Sequence, residues 1–533
     1  MTRRALVWLL PVLMTACAQV RDLTGGDKDI RGPQLIGAEP PQLSTHFSAD
    51  RIVLKFDERI KLERVRDRLL VSPPLDVPPE VRISGSRNVV IELKAPLKEK
   101  TTYSFGIGEA VRDLTEGNPT TGLTYVVSTG DLVDSLMVMG AVADAFKGTA
   151  EKDILVLLHA VGDTAAFRTG RPAYATRTDS AGTFFLRHLR AGPYSIHALR
   201  DQNANYRYDL PNEDIAFVDS ALMVNSTDTL TRPIALRLFR EASAAQQVRE
   251  ARVTADGAFR LILSRPTREL EMRDVARKGG SLTWYTEWNN TRDSLLLWPS
   301  DTTALKDGQY EVRTETGIID TIRYRPIERM PFFTGLKAGT HEEKDGARVE
   351  IRSSRPLEAI DTARFTVMRD SLPIPFTLEQ DSLDTRVLRL RTSLEPGASA
   401  MLTVLPKAVR DRFGGHNDTL RMGIGRAAEG STGTLRVQLG VHTGTIGPFI
   451  VQLLDQQGRP VREQTITTPE GAVVWERLTP GNHTLRLIHD TNANGRWDTG
   501  SLRSALQPEP VWRYPEVVNV RAAWDLGVDW TLE

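Results

Sequence analysis

The chain has 533 residues, with 68 Lys plus Arg against 68 Asp plus Glu, so its formal net charge is zero. That balance argues against a nucleic-acid partner, because no basic excess exists to neutralise phosphates. At about 100–200 residues per domain the length predicts roughly three to five domains, and 40 Gly with 30 Pro suit a turn-rich all-β chain better than a helical one.

The one cysteine, Cys17, follows a basic start (Arg3, Arg4), a short apolar run over residues 5–14, and the small residue Ala16. Such a segment is too short to span a bilayer, and residues 1–16 read as a signal peptide. The segment resembles a bacterial lipoprotein signal, in which cleavage precedes a lipidated cysteine, although Met14 is unusual at its place. The resemblance implies a membrane partner through a lipid anchor on Cys17, since two or more acyl chains hold a protein stably. No later run of about 18 apolar residues exists, and no second cysteine is available for a disulfide. Residues 17–32, with Gly25-Gly26-Asp27, read as a flexible tether.

Residues 33–130 alternate with period two at Arg51-Ile52-Val53-Leu54-Lys55-Phe56, Val89-Val90-Ile91-Glu92-Leu93 and Thr102-Tyr103-Ser104-Phe105, the pattern of half-buried strands in a sandwich. With Pro73-Pro74, Leu97 and Ala110-Val111-Arg112-Asp113, this stretch resembles the SbsA-type bacterial Ig-like domain. Residues 131–235 carry Thr178-Asp179-Ser180-Ala181-Gly182 before Phe184-Phe185-Leu186, then Leu189 and Gly192, and resemble a carboxypeptidase-regulatory or transthyretin-like β-sandwich. Residues 236–330 hold strand-like runs at Phe259-Arg260-Leu261-Ile262-Leu263 and Gln309-Tyr310-Glu311-Val312 and read as a third sandwich. In residues 331–428, Ala408-Val409-Arg410-Asp411 repeats Ala110-Val111-Arg112-Asp113, which predicts a second Ig-like domain. Residues 429–533 repeat the 131–235 pattern and end on Val518, Val520, Trp524, Leu526, Val528 and Trp530, read as an edge or final strand. The expected fold is therefore all-β, a string of about five Ig-like or prealbumin-like sandwiches. The whole order resembles Bacteroidota-type outer-membrane lipoproteins built from Ig-like modules.

Two loops stand out. Asp201, Asn203, Asn205 and Asp209 form a D-x-N-x-N-x-x-aromatic-D motif, and Asp490, Asn492, Asn494 and Asp498 repeat it 289 positions later (490 minus 201). Gly182 and Gly471, Leu189 and Leu478, and Gly192 and Gly481 share that offset, so the motif belongs to an internal duplication. Oxygens at positions one, three and five of a tight loop converge, and Ca2+ prefers such oxygen cages. Gly495 allows the turn in the second loop, Tyr206 replaces it in the first, and the bidentate Glu at position twelve of an EF-hand is missing, though in the first loop Glu213 lies one residue past that position. The competing reading is a pair of Asx turns that close hairpins.

Catalytic signatures are missing from the sequence. It has no H-E-x-x-H, no paired Cys, no G-x-S-x-G and no P-loop. His188, His197 and His489 read as strand residues rather than ligands. Trp284-Tyr285-Thr286-Glu287-Trp288 offers aromatic faces for a glycan, set against the plainer reading of alternating core and edge positions. Asp-Ser or Asp-Thr followed by an apolar residue or Thr recurs at Ser135, Thr164, Ser180, Ser220, Thr229, Ser294, Thr302, Thr321, Thr362, Ser371, Ser382 and Thr419. This resembles the O-glycosylation pattern of Bacteroidota-type exported proteins and is expected on exposed loops. Together these features point to a non-catalytic, lipid-anchored scaffold or interaction protein of the outer membrane, with an unnamed protein partner. The alternative is a carbohydrate-binding lipoprotein working beside a transporter.

Overall fold

The computed structural model describes residues 29–532 except 162–165, 226–232, 244, 277–283, 290, 301–306, 326–333, 344–345, 383, 441–446 and 468–470. Cys17 and the tether lie outside the described residues up to residue 28, as do Thr164, Thr229 and Thr302. The chain is a series of β-sandwiches with separate apolar cores, as its period-two patterning predicts.

In the first module, strands Leu35–Glu39, Arg51–Phe56, Asn88–Glu92 and Glu80–Ser84 form one antiparallel sheet in that order. It faces Leu70–Ser72, Thr102–Gly106 and Thr124–Ser128. Ile52, Leu54 and Phe56 point inward between them with Phe105 and Tyr125, all essentially buried. The fourth module repeats this order with Leu336–Glu343, Gly346–Ser353, Val387–Thr392 and Phe376–Gln380. The repeated Ala-Val-Arg-Asp motif has one job in both. Asp113 accepts hydrogen bonds from the N–H groups of Gly117 (2.8 Å) and Asn118 (2.8 Å), and Asp411 from those of Phe413 (2.8 Å) and Gly415 (2.7 Å). Burial pushes the Asp113 carboxyl up, but the N–H donors of Gly117, Asn118, Glu116 and Thr115 outweigh it and hold it below the usual carboxylate range.

The second module places Thr183–Leu189, Leu136–Asp144 and Ile234–Leu238 in one sheet, the last pair parallel. Its other sheet runs Tyr174–Arg177, Leu155–Ala160, Gly192–Leu199, Ile215–Phe217. The fifth module has the same order, from Pro460–Ile466 through Phe449–Leu454 and Gly481–His489 to Val511–Arg513. Here the closing segment ends in the expected edge and final strand, Asp525–Thr531, but its first part is a separate strand. Val518–Val520 pairs with Gly481–His489, while Asp525–Thr531 crosses to the other sheet and pairs in parallel with Gly433–Gly440. One apolar alternation thus serves two strands in two sheets, and Trp524, in the connection, is 58% exposed.

The third module pairs a Val248–Val253, Phe259–Leu263, Ser294–Pro299, Trp284–Trp288 sheet with Leu270–Asp274, Gly308–Thr314 and Gly317–Tyr324. Two of the Asp-Ser/Thr positions depart from the loop expectation, because Ser294 opens a strand and Thr321 lies inside one. Others are turn formers: Asp179 accepts from the N–H of Ala181 and Thr183 (2.9 Å each), and Asp361 from that of Ala363 (3.2 Å).

Candidate functional site

Both Asp/Asn loops leave the end of a core strand, Gly192–Leu199 in one copy and Gly481–His489 in the other. Each is organised on its first Asp. Asp201 accepts from the backbone N–H groups of Asn203 (3.2 Å), Asn205 (3.3 Å) and Tyr206 (2.8 Å). Asp490, only 1% exposed, accepts from those of Asn494 (3.0 Å) and Gly495 (2.7 Å). The last Asp then gathers the asparagines. Asn203 and Asn205 donate from Nδ2 to Asp209 (3.1 and 2.7 Å), and Asn492 and Asn494 likewise donate to Asp498. The motif residues predicted from sequence are therefore brought together in each loop.

Tyr206 and Gly495 occupy one equivalent position and share a left-handed backbone, at φ 62° and 78°. A side chain there costs about 1–2 kcal/mol. Tyr206 meets that cost while its ring packs on the apolar cluster around Phe167 and Tyr208.

A buried carboxylate stands behind each loop: Glu213, which the sequence places one residue past position twelve, and Glu509, which the sequence reading missed. Glu213, fully buried, accepts from the N–H groups of Gln202 (3.2 Å), Asp209 (3.1 Å) and Leu210 (3.0 Å). Glu509, 5% exposed, accepts from those of Thr491 (2.7 Å) and Asp498 (2.9 Å). The two glutamates tie the start of each loop to its end. Their positions relative to the motif differ by seven residues, because the ten residues 499–508 of the second loop, which carry an added turn, stand where the first loop has only the three residues 210–212.

The oxygen chemistry suits a hard cation. If the Asn492 and Asn494 amides turned about their last bond, Oδ1 would face Asp498 in place of Nδ2. Asp490, Asn492, Asn494 and Asp498 would then supply the oxygens, and Asp201, Asn203, Asn205 and Asp209 would do so in the other loop. Among the described residues no group of three or more His, Cys, Asp or Glu is placed to hold a metal; each loop combines two carboxylates with two amides.

The added turn of the second loop is a docking element. Thr499 Oγ1 donates to Arg240 O (2.7 Å), Leu502 N to Glu241 (2.6 Å), and Gln507 Nε2 to Phe217 O (3.0 Å) and Asp219 (2.7 Å). Phe146 of the second module lies 5.0 Å from the Trp497 ring and 4.4 Å from the Arg486 guanidinium. The second and fifth modules therefore pack against each other, loop side to loop side.

The third and fourth modules are joined as firmly. Arg386 pairs with Glu287 (2.7 Å), Trp298 packs near Phe413, and Arg412 covers Tyr285. The aromatic strip is absorbed in this packing. Trp284 sits edge-on to Tyr310 and Tyr324 at the core, and Arg292 lies 4.7 Å over Trp288. Of the histidines, His197 is buried against Phe167 (4.2 Å, stacked), and His489 stacks on Phe449 (4.8 Å). Burial first, and His159 beside it, hold the His197 pKa down to about 3.

The profile of the bacterial Ig-like domain family matches residues 29–129, the first sandwich. No curated protein matches the chain. Among solved structures, it is similar to BcpA, the major pilin subunit of Bacillus cereus, at 9% identity and a TM-score of 0.14, covering 75% of this chain and 99% of that one. It is similar to domains 1-6 of the surface layer protein SbsC at 11% identity and a TM-score of 0.14, covering 87% and 66%. It is also similar to the Bacillus anthracis TIE protein at 9% identity and a TM-score of 0.15, covering 96% and 76%. At such TM-scores these likenesses carry no inference about what this chain does.

Proposed function

We propose that the chain is a non-catalytic, lipid-anchored scaffold or interaction protein of the outer membrane. The observation that carries this reading is the packing of the fifth module on the second. A freely jointed string of domains would expose those surfaces; here aromatic rings and side-chain hydrogen bonds to backbone carbonyls fix modules hundreds of residues apart. Such a body suits holding a partner at a set distance from its anchor. The anchor reading rests on the segment ending at Cys17. Weak calcium binding in the Asp490 and Asp201 loops belongs to the same proposal, as a means of stiffening the docking face. The glycan-binding alternative loses its sequence support at Trp284 and Trp288, since both rings have protein partners. Cross-linking in intact cells, followed by identification of the captured envelope protein, tests the scaffold reading. Turnover of a glycan or peptide library by the purified protein would overturn it.

A further inference from the structure

The first and second modules meet in a closed seam. The Asp134 carboxylate contacts Thr102 Oγ1 (2.9 Å) and pairs with Arg190 (3.7 Å), while its carbonyl meets His188 Nδ1 (3.1 Å). Arg190 also donates to Lys100 O. The fourth and fifth modules repeat this pair of domains, and strand register gives the equivalent positions. Leu136 pairs with Leu189 as Gly433 pairs with Leu478. Ser431 therefore stands where Asp134 stands, Arg477 where His188 stands, and Thr479 where Arg190 stands. Across these three positions the second seam has lost a carboxylate and an imidazole, and its one guanidinium has moved from the place of Arg190 to that of His188, which leaves it more positive.

That seam is open. A cleft of about 600 Å³ lies there, lined by His341 and Arg348 from the fourth module and by Ser431, Thr432, Arg462 and Arg477 on the side of the fifth. Among the described residues no Asp or Glu lines it. Its size is in the range of small-ligand sites, about 300–1,000 Å³.

We propose that this cleft binds an anionic saccharide, its carboxylate or phosphate groups on the arginines and its hydroxyls on the Ser and Thr side chains. Guanidinium forks match carboxylate and phosphate oxygens bidentately. Among the described residues the lining holds no Phe, Tyr or Trp, so stacked nucleobases have no platform. Its apolar side chains are Ala427 and Pro480, which leaves a peptide no large hydrophobic anchor. The site is independent of the lipid anchor and of the Asp/Asn loops.

Calorimetric titration of the purified full chain with trigalacturonate, inorganic phosphate and uncharged maltotriose tests this. Trigalacturonate is expected to bind, more weakly as salt rises because exposed charges are screened, and maltotriose is not. Ser431→Asp restores the carboxylate of the first seam and Arg477→His its imidazole. Each is expected to weaken trigalacturonate by about tenfold or more, roughly the loss of one charge-assisted contact. Arg268→Ser, outside the cleft, is expected to leave binding unchanged. Melting temperatures of the variants show that they fold. No trigalacturonate binding, equal binding of maltotriose, phosphate binding without trigalacturonate, or indifference to both cleft variants would overturn the proposal.

Discussion

Tyr208 and Trp497, the same position in two copies of one motif, pack into one shared hydrophobic cluster. Tyr208 is buried there, and its hydroxyl reaches Glu241 (2.5 Å), the residue that also receives the Leu502 N–H. The duplication thus produced two loops whose aromatic residues meet at an interface. Removing Trp497 deletes a part-buried ring and its indole hydrogen bond to Glu509 O (2.9 Å). Trp497→Ala is expected to destabilise the fifth module by about 2–4 kcal/mol, toward the lower part of the range for large-to-small aromatic changes. It should also loosen its contact with the second module. A larger radius of gyration by solution scattering, with faster proteolysis near residue 499, checks the second effect; unchanged scattering would show that Trp497 does not hold the interface.

The buried glutamates give a second expectation. Glu509→Gln replaces a charged acceptor with an amide that can satisfy fewer of the N–H groups at Thr491 and Asp498. Hydrogen bonds to a charged group contribute about 1.5–3 kcal/mol each, so a loss of about 2 kcal/mol in the fifth module is expected. Glu213→Gln should do the same in the second. Calorimetric unfolding of the two variants reads each module's transition, and a neutral result in both would reduce these glutamates to space fillers.

Acid sensitivity should trace partly to His197. Its unfolded pKa is about 6.5, while burial holds the folded value down to about 3. Between those values the unfolded chain binds a proton that the folded module does not. Stability from this group is therefore complete above about pH 6.5 and falls as pH drops toward 3. His159, packed beside His197 at 5.3 Å, is the second contributor to that depressed pKa. His197→Leu is expected to flatten the fall in melting temperature between pH 7 and pH 4.5 relative to the wild type. Identical pH profiles in the two proteins would assign the acid sensitivity elsewhere.

The modular fold was legible because its signals are local. Ile52, Leu54 and Phe56 alternate, and Asp113 and Asp411 recur in matching motifs with their turn glycines nearby. The loops were legible for the same reason, down to the shared aromatic. Glu509 was not, because the added turn moves it out of register with Glu213. The docking of the fifth module on the second was also hidden, since Phe146, Thr499 and Gln507 follow no period and meet only in three dimensions. The final edge strand was legible in its alternation, but not the separate strand Val518–Val520, because alternation reports which face is buried and not which sheet a strand joins. Trp284 and Trp288 showed aromatic faces in sequence, yet one is turned to Tyr310 and the other is covered by Arg292.

The proposed lipid anchor rests on one atom, the Cys17 thiol. Under that proposal Cys17→Ser removes the acyl acceptor and is expected to move the protein from the membrane to the soluble fraction. Quantitative retention of the variant in membranes would reveal a different anchor.

Calcium is the remaining test of the loops. Asp490 is fixed by two backbone N–H donors, and Asn492, Asn494 and Asp498 already cluster at the loop tip. A cation among their oxygens would replace the amide contacts to Asp498 without moving the strand beneath. Few formal charges line each loop, so affinity should be weak, on the order of 10⁻⁴–10⁻³ M as in extracellular modules. The second loop should bind more tightly than the first, because Gly495 takes the left-handed turn without the strain that Tyr206 bears. Binding only to the folded state must raise the melting temperature by mass action. At about 10 mM calcium, ten times the upper estimate of the dissociation constant, the stabilisation would be about 1.4 kcal/mol. A rise in melting temperature that is lost in Asp490→Ala and kept in Asp201→Ala is the expected result. No shift in the wild type, or an equal shift in Asp490→Ala, would leave the loops as hydrogen-bonded turns.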